Sequence, residues 1–330
     1  MFDVAIIGAG PAGATLARLI GKSHRVLCID KRPRHGSTGG YAAGKSCGGL
    51  LAPDAQKMLS ELGLALPRDV LEGPQLFAVK AIDLQSRLER YYQRHYINMD
   101  RRKFDSWLLS LIPPAVEVRT GCRLKSFVRA DRGFSLNLEA GQQAYVEKAQ
   151  ILVGADGANS RVRIQAFPDL PSPDAYFAIQ EWVEREGDDF PYFTALFDRE
   201  ITDYYCWTIP KGDTLIIGAA LPPRDQAREK FERLKIKLRA HGFVFGKTIR
   251  REGPSFCAPA EGNTFPPVRM ESRSSARQEG GSAPVQPKGS ATRSRAPFFL
   301  PGLCAPASRV SRYVTEGKYG RCGGICLSRI

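Results

Sequence analysis

Six residues, Gly8-Ala9-Gly10-Pro11-Ala12-Gly13, narrow the choice of fold more than any other feature of this chain. Residues 3–7 (DVAII) form a short apolar run leading into them, and residues 14–20 continue with helical spacing. A second apolar run, residues 26–29, ends at Asp30. The order is strand, tight turn, helix, strand, which is a βαβ unit. In such a unit the pattern G-x-G-x-x-G serves three needs: a tight turn, close approach of backbone N–H groups to a pyrophosphate, and close packing of helix on strand. The start of the helix favours the phosphate charge. Asp30 follows Gly13 by 17 residues, where a carboxylate grips ribose hydroxyls. The expected cofactor residues at this end are Gly8, Gly10, Ala12, Gly13, Asp30 and Lys31. The competing reading is a tight turn of a doubly wound fold with no ligand.

Further along, residues 54–62 and 101–111 have helical character, and Asp100 is placed to cap the second of these. Alternation between residues 117 and 154 predicts three or four strands, and residues 175–220 again read as strands rich in aromatic side chains. Residues 223–241 read as a charged amphipathic helix.

Glycines alone do not separate one dinucleotide from another. The segment Gly154-Ala155-Asp156-Gly157-Ala158-Asn159-Ser160-Arg161-Val162-Arg163 does more, because it follows the apolar run 151–153 in register with G-A-D-G-x-x-S-x-V-R. Here the chain resembles the FAD-dependent aromatic hydroxylase superfamily, in which this fingerprint lies close to the FAD pyrophosphate and ribose. The resemblance implies that Asp156 and Gly157 bind cofactor; without it the segment is an Asp-Gly turn after a buried strand. Residues 100–108 (DRRKFDSWL) resemble the superfamily's R-x-x-F-D-x-x-L element, which implies Arg101 near the flavin. The alternative for Arg101 is an exposed arginine at a helix start.

Two stretches narrow the resemblance. Lys45-Ser46-Cys47-Gly48-Gly49 is similar to the K-x-C-G-G loop of geranylgeranyl reductases, which implies Cys47, Gly48 and Gly49 beside the flavin. Residues 205–211 (YCWTIPK), with Gly218 seven residues beyond Lys211, are similar to the Y-x-W-x-F-P-K-x6-G signature of the same family, with Ile209 in place of Phe. The resemblance implies an aromatic wall for an isoprenoid chain, so Cys47, Tyr205, Trp207 and Lys211 are candidates for contact with substrate or flavin. Taken alone, Tyr205, Trp207 and Ile209 are an alternating strand with one buried face, and Cys47 packs in a glycine-rich loop. Residues 1–252 also resemble a bacterial branch associated with colicin M resistance. No acid–base pair stands out: His24, His35, His95 and His241 fall in no catalytic pattern, and His95 reads as a structural histidine.

Composition bears chiefly on the last quarter. The net charge of +14 divides equally, because residues 253–330 hold 11 Lys and Arg against 4 Glu and the preceding residues hold 37 basic against 30 acidic side chains. Residues 253–330 contain 10 Gly, 10 Ser, 9 Pro and no Asp, and show neither helical nor strand period, the composition of a disordered basic tail. The superfamily's third FAD element, a strand followed by G-D/E-A-A-G and a helix, is expected between residues 260 and 300 and is not found there. Two readings stay open: a shift of reading frame near residue 253 relative to functional relatives, or a natural basic tail. Eight cysteines at irregular spacing do not form a disulfide framework, and Cys322 with Cys326 lacks the second pair of a zinc site, so no metal is expected. No run reaches the roughly 20 apolar residues of a membrane span, so the chain reads as cytoplasmic, with peripheral membrane contact at most.

These observations predict an α/β fold: a Rossmann-type FAD-binding domain of residues 1–74 and 99–170, an inserted mostly antiparallel substrate sheet of residues 75–98 and 171–252, and a low-order tail. The resemblance implies reduction of isoprenoid double bonds by FAD, with NAD(P)H or another reductant as electron donor. An aromatic monooxygenase and a remnant weakened by loss of the third element are the alternatives. The expected partner is a hydrophobic small molecule, with no specific nucleic acid.

Overall fold

The computed structural model describes residues 1–34, 47–169, 175–187, 191–222 and 226–253, together with the backbone of Ser255–Cys257 and Ile325–Cys326. In chain order the elements are β1 (Phe2–Ile7), α1 (Pro11–Ile20), β2 (Val26–Asp30), β3 (Leu50–Leu51), α2 (Pro53–Glu61), β4 (Leu76–Asp83), β5 (Leu88–Asn98), α3 (Arg101–Ser110) and β6 (Glu117–Thr120). There follow β7 (Cys122–Ala130), β8 (Gly133–Ala140), β9 (Gln143–Gly154), α4 (Arg161–Ala166), β10 (Ala175–Arg185), β11 (Phe193–Phe197) and β12 (Cys206–Lys211). The last are β13 (Thr214–Leu221), α5 (Ala227–Ala240), β14 (Phe245–Glu252), β15 (Ser255–Cys257) and β16 (Ile325–Cys326).

The first sheet runs β6-β2-β1-β9-β8-β7. Its parallel centre is the predicted βαβ unit plus β9, which pairs Ile7 with Gly154 and so brings both glycine-rich turns to one end of the sheet. The 12-residue β9 serves two neighbours. Its first half closes an antiparallel meander on β8, and its second half becomes a buried central strand beside β1. α1 covers one face through Leu16, Ala17 and Ile20, which pack with Phe104, Leu108 and Leu109 of α3. Phe127, Phe134 and Leu136 of the meander cover the other.

The second sheet runs β14-β10-β13-β12-β11-β4-β5-β3 and is antiparallel apart from the parallel pair β11–β4. One face is packed by α5, through Phe231, Leu234 and Leu238. Buried Glu181 of β10 anchors that helix by accepting from Lys235 at 3.0 Å, and it also accepts from Thr248 of β14 at 2.9 Å, with Arg251 as a further partner. The opposite face carries Tyr96, Phe193, Tyr205 and Ile209 next to Leu50 and Ala52, where the chain leaves the glycine-rich loop.

Mixed α/β architecture and the positions of most elements agree with the sequence-based expectation. The stretch 253–330, expected to hold no strand, contributes β15, paired with β10, and β16, paired in parallel with β9. Ladder pairing uses backbone groups, so a short strand needs no side-chain period to add to an available edge. Most of that stretch, including the expected third FAD element and Cys322, lies outside the described residues, as do His35, Lys45 and Ser46. Among the described residues no helix is long and apolar enough to cross a membrane.

Asp100 caps α3 as predicted, its carboxylate accepting from the amides of Arg102 at 2.8 Å and Lys103 at 3.0 Å. Asp100→Ala is expected to cost about 1 kcal/mol of stability, read as a lower urea midpoint at unchanged slope.

Candidate functional site

Three strand ends are laced together at the glycine turn. Gly8 N donates to Ile29 O at 2.7 Å, Ala155 N donates to Ile7 O at 2.7 Å, and Ala9 N donates to the Asp30 carboxylate at 2.9 Å. Gly8 has φ +101°, and a Cβ there would overlap the Ala155 carbonyl, so the two fingerprints touch through backbone alone. A Cβ on Gly13 would overlap Gly8 O, which is the close packing of helix on strand expected of the third glycine. Gly10 is the N-cap of α1 without a side-chain cap, Pro11 opens the helix, and its first turn has no acidic residue. Ala12 is buried within α1, and Lys31 is exposed. The amides of the helix start therefore meet no side-chain competitor for an anion.

In the second fingerprint the Asp156 side chain organises the turn itself. It accepts from Ser160 Oγ and from Arg161 N at 2.7 Å, while Ser160 caps α4 through Arg163 N at 3.0 Å. Gly157 stands at φ +89°, with open space where a Cβ would be. An uncapped helix start, a glycine seam and an open backbone turn beside a strand-end carboxylate fit a dinucleotide such as FAD.

Asp30 is engaged beyond the turn. Arg32 approaches it with its amide at 2.8 Å and with Nε and Nη2, each at 3.1 Å. Burial works to raise the Asp30 carboxyl, but the hydrogen bonds and charge of Arg32, joined by the Ala9 amide, outweigh it and hold the carboxyl below its usual range. Arg32 also reaches Asp105 of α3, as does Arg101, whose Nη1 donates to Cys47 Sγ at 3.3 Å. Arg101 is thus not the exposed arginine of the competing reading: its side chain is 13% exposed and ion-paired. Its place at a helix start is also the place where α3 abuts the loop. Neither Arg32 nor Asp105 is singled out as a site residue from sequence; the spacing of Arg32 two residues after Asp30 is the signal that would have found the first, and Asp105 is itself the acidic position of the R-x-x-F-D-x-x-L element.

The motifs at residues 47–49 and 205–218 converge as well. Gly48 packs so closely on Ile209 that a Cβ would overlap its Cδ1. Lys211, 5% exposed, donates to Gly49 O at 3.0 Å and Met99 O at 2.7 Å, fastening the loop and the end of β5 to the end of β12. Asn98 adds a parallel tie, donating to Pro74 O at 2.9 Å and Pro210 O at 2.8 Å. Along β12 the Trp207 indole occupies the space that a Cβ on Gly218, its cross-strand partner, would need. That contact accounts for the glycine seven residues past the lysine. Tyr205 is buried, with its ring centroid 5.1 Å from Tyr204 and 5.6 Å from Trp207, and burial holds its hydroxyl well above the usual phenol range. Tyr96 and Phe193, 5.3 Å apart edge to face, extend the aromatic wall beyond the residues expected from sequence. His95 is exposed and meets Gln93 and the Phe77 ring, away from this wall. Among the described residues no group of His, Cys, Asp or Glu is arranged to hold a metal.

The sequence family described as NAD(P)-binding Rossmann-like domain matches residues 6–51. Protein CbrA of Shigella sonnei (strain Ss046) and that of Escherichia coli (strain K12) are each 42% identical to this chain over 264 residues, 80% of this chain and 73% of the relative. Among solved structures, a geranylgeranyl bacteriochlorophyll reductase-like protein from Thermoplasma acidophilum superimposes with a TM-score of 0.65 at 20% identity, over 78% of this chain and 66% of that one. A probable FAD-dependent monooxygenase from Pseudomonas aeruginosa gives 0.56 at 22% identity, over 77% and 72%. At such identities these likenesses establish a shared fold.

Burial lowers the Lys211 ammonium from its ordinary 10.5 to about 8, against weaker support from Cys47, Glu72 and Asp100. Between about pH 8 and 10.5 the unfolded chain then binds more protons at this site than the folded one. Linkage makes stability rise with pH across that window. The difference in unfolding free energy between wild type and Lys211→Met is expected to move in favour of wild type from pH 8 to 10.5, as read by urea titration; a pH-independent difference refutes the buried ammonium.

Proposed function

The chain belongs to the CbrA family, and we propose from that premise that it is an FAD-dependent oxidoreductase that reduces double bonds of an isoprenoid-type substrate. The observation that carries the reading is the meeting of four motifs in two pairs, linked through Arg32, Asp105 and Arg101. Gly8–Gly13 abuts Ala155–Asp156 at the ends of β1 and β9, and Cys47–Gly49 is fastened by Lys211 to the strand of Tyr205 and Trp207. The fold likeness to FAD-dependent and geranylgeranyl reductase-like proteins supports it.

When bound, FAD reduced by NAD(P)H or another donor would supply the hydride. The residues of this chain bind and orient. The start of α1 and the backbone at Gly157 would hold the pyrophosphate, with Asp30 and the Arg32 that engages it placed beside the ribose. Trp207, the partly exposed ring of the wall, offers apolar surface to a hydrocarbon chain, backed by the buried rings of Tyr96, Phe193 and Tyr205. Lys211 and Asn98 keep the loop and the wall in fixed relation, the placement on which hydride transfer depends. The domain division that accompanies this reading assigns residues 1–74 and 99–170 to the cofactor and 75–98 and 171–252 to the substrate.

Incubation of the flavin-loaded protein with chemically reduced FAD and a polyunsaturated isoprenoid alcohol, without oxygen, is expected to yield product carrying two additional hydrogens per reduced bond, detected by mass spectrometry. Trp207→Ala is expected to weaken turnover about tenfold, a loss on the scale of one buried aromatic contact. Oxygen uptake with insertion of an oxygen atom into an aromatic acceptor, and no hydrogenated isoprenoid, replaces this reading with the monooxygenase one.

A further inference from the structure

Asp105 lies on α3 with its side chain fully enclosed, and its two oxygens are divided between two arginines. Oδ1 takes Arg101 Nε at 2.8 Å, and Oδ2 takes Arg32 Nη1 at 3.1 Å. Each guanidinium also holds a second partner. Arg32 grips Asp30 at the end of β2, and Arg101 meets Cys47 in the loop before β3. One run of polar contacts, Asp30–Arg32–Asp105–Arg101–Cys47, therefore joins the nucleotide end of the site to the substrate end. A buried ion pair is weak support for stability, because desolvation offsets much of the Coulomb gain and an apolar side chain of like volume often serves as well. Phe104, Leu108 and Leu109 already hold α3 in the core. What a carboxylate does here that an apolar residue does not is fix the planar forks of two guanidiniums.

We propose that Asp105 is a positioning residue that sets Arg32 against the Asp30 carboxylate and Arg101 against the Cys47 thiol, coupling the grip on the cofactor to the placement of the CGG loop. The cofactor half of this assignment rests on the flavin reading above, whereas the thiol half stands on the contacts of the chain itself.

The test is Asp105→Asn, close in shape and without the charge, with two readouts on the full chain. One is the FAD dissociation constant from quenching of flavin fluorescence. The other is the rate at which iodoacetamide alkylates Cys47 in FAD-free protein, resolved by peptide mass spectrometry, with buried Cys28, Cys122 and Cys206 as the control on the fold. FAD binding is expected to weaken about tenfold, and Cys47 alkylation to rise about threefold as Arg101 releases its hydrogen bond to the sulfur. The three buried thiols stay protected. Unchanged FAD affinity or unchanged Cys47 alkylation in the variant overturns the assignment, and so does equal unmasking of the buried thiols, which marks Asp105 as a purely structural residue. A wild-type chain that binds no FAD sinks the flavin reading and the coupling with it, while leaving the alkylation result to stand for the Arg101 half. If Asp105→Asn does not fold, Arg32→Gln and Arg101→Gln are compared singly and together. Losses of FAD affinity that fall short of additive support a shared anchor, and additive losses overturn it.

Discussion

The parallel pairing of β1 with β9 is the constraint from which the rest of the site follows. With Ile7 opposite Gly154, both strands end at the same level, and the chain must leave each by a turn in the space above the other. Only a residue without a side chain fits at Gly8, because the Ala155 carbonyl fills the place of a Cβ. The same crowding recurs one layer away, where Gly13 lets α1 settle onto the Gly8 carbonyl. Two glycines thus convert a strand pairing into a seam of backbone groups, and a seam of amides at a helix start is where polypeptide binds phosphate without needing a cationic side chain.

Polar groups deeper in the structure obey a second rule: the enclosed charges described at the site are each met by a partner. Asp30 and Asp105 are met by arginines, and Lys211 is met by two carbonyls. Leaving a buried charge unpaired costs several kcal/mol, whereas a pair contributes little net stability. These groups are better understood as fixing relative positions. Arg101 ties α3 to the CGG loop, and Lys211 ties that loop to β12, so the aromatic strand and the glycine turns are joined by a few directional contacts rather than by one continuous apolar core.

Local chemistry made much of this legible in the sequence. The βαβ unit announces itself through glycine spacing and an apolar period, and Asp100 is recognisable as a cap because a carboxylate before a helical run satisfies amides that nothing else reaches. The convergence of Cys47–Gly49 with residues 205–211 was legible only through family resemblance, since the two are separated by more than half the described chain and no periodicity connects them. The partnership of Arg32 with Asp105 was not legible at all. It spans 73 residues, and nothing about an arginine after a strand says which distant carboxylate it will meet. The strands β15 and β16 escaped for another reason: they are held by edge pairing of backbone, which leaves little mark on side-chain pattern.

The measurement that bears most directly on the proposed flavin seat is a titration of the purified chain with FAD, following the visible flavin absorbance and the retention of colour after gel filtration, beside Gly8→Val. Near-stoichiometric retention is predicted for the wild type and none for the variant, whose added side chain has no room beside the Ala155 carbonyl. A wild-type chain that stays colourless while remaining folded contradicts the flavin seat, and shows that the two abutting fingerprints do not by themselves hold the cofactor.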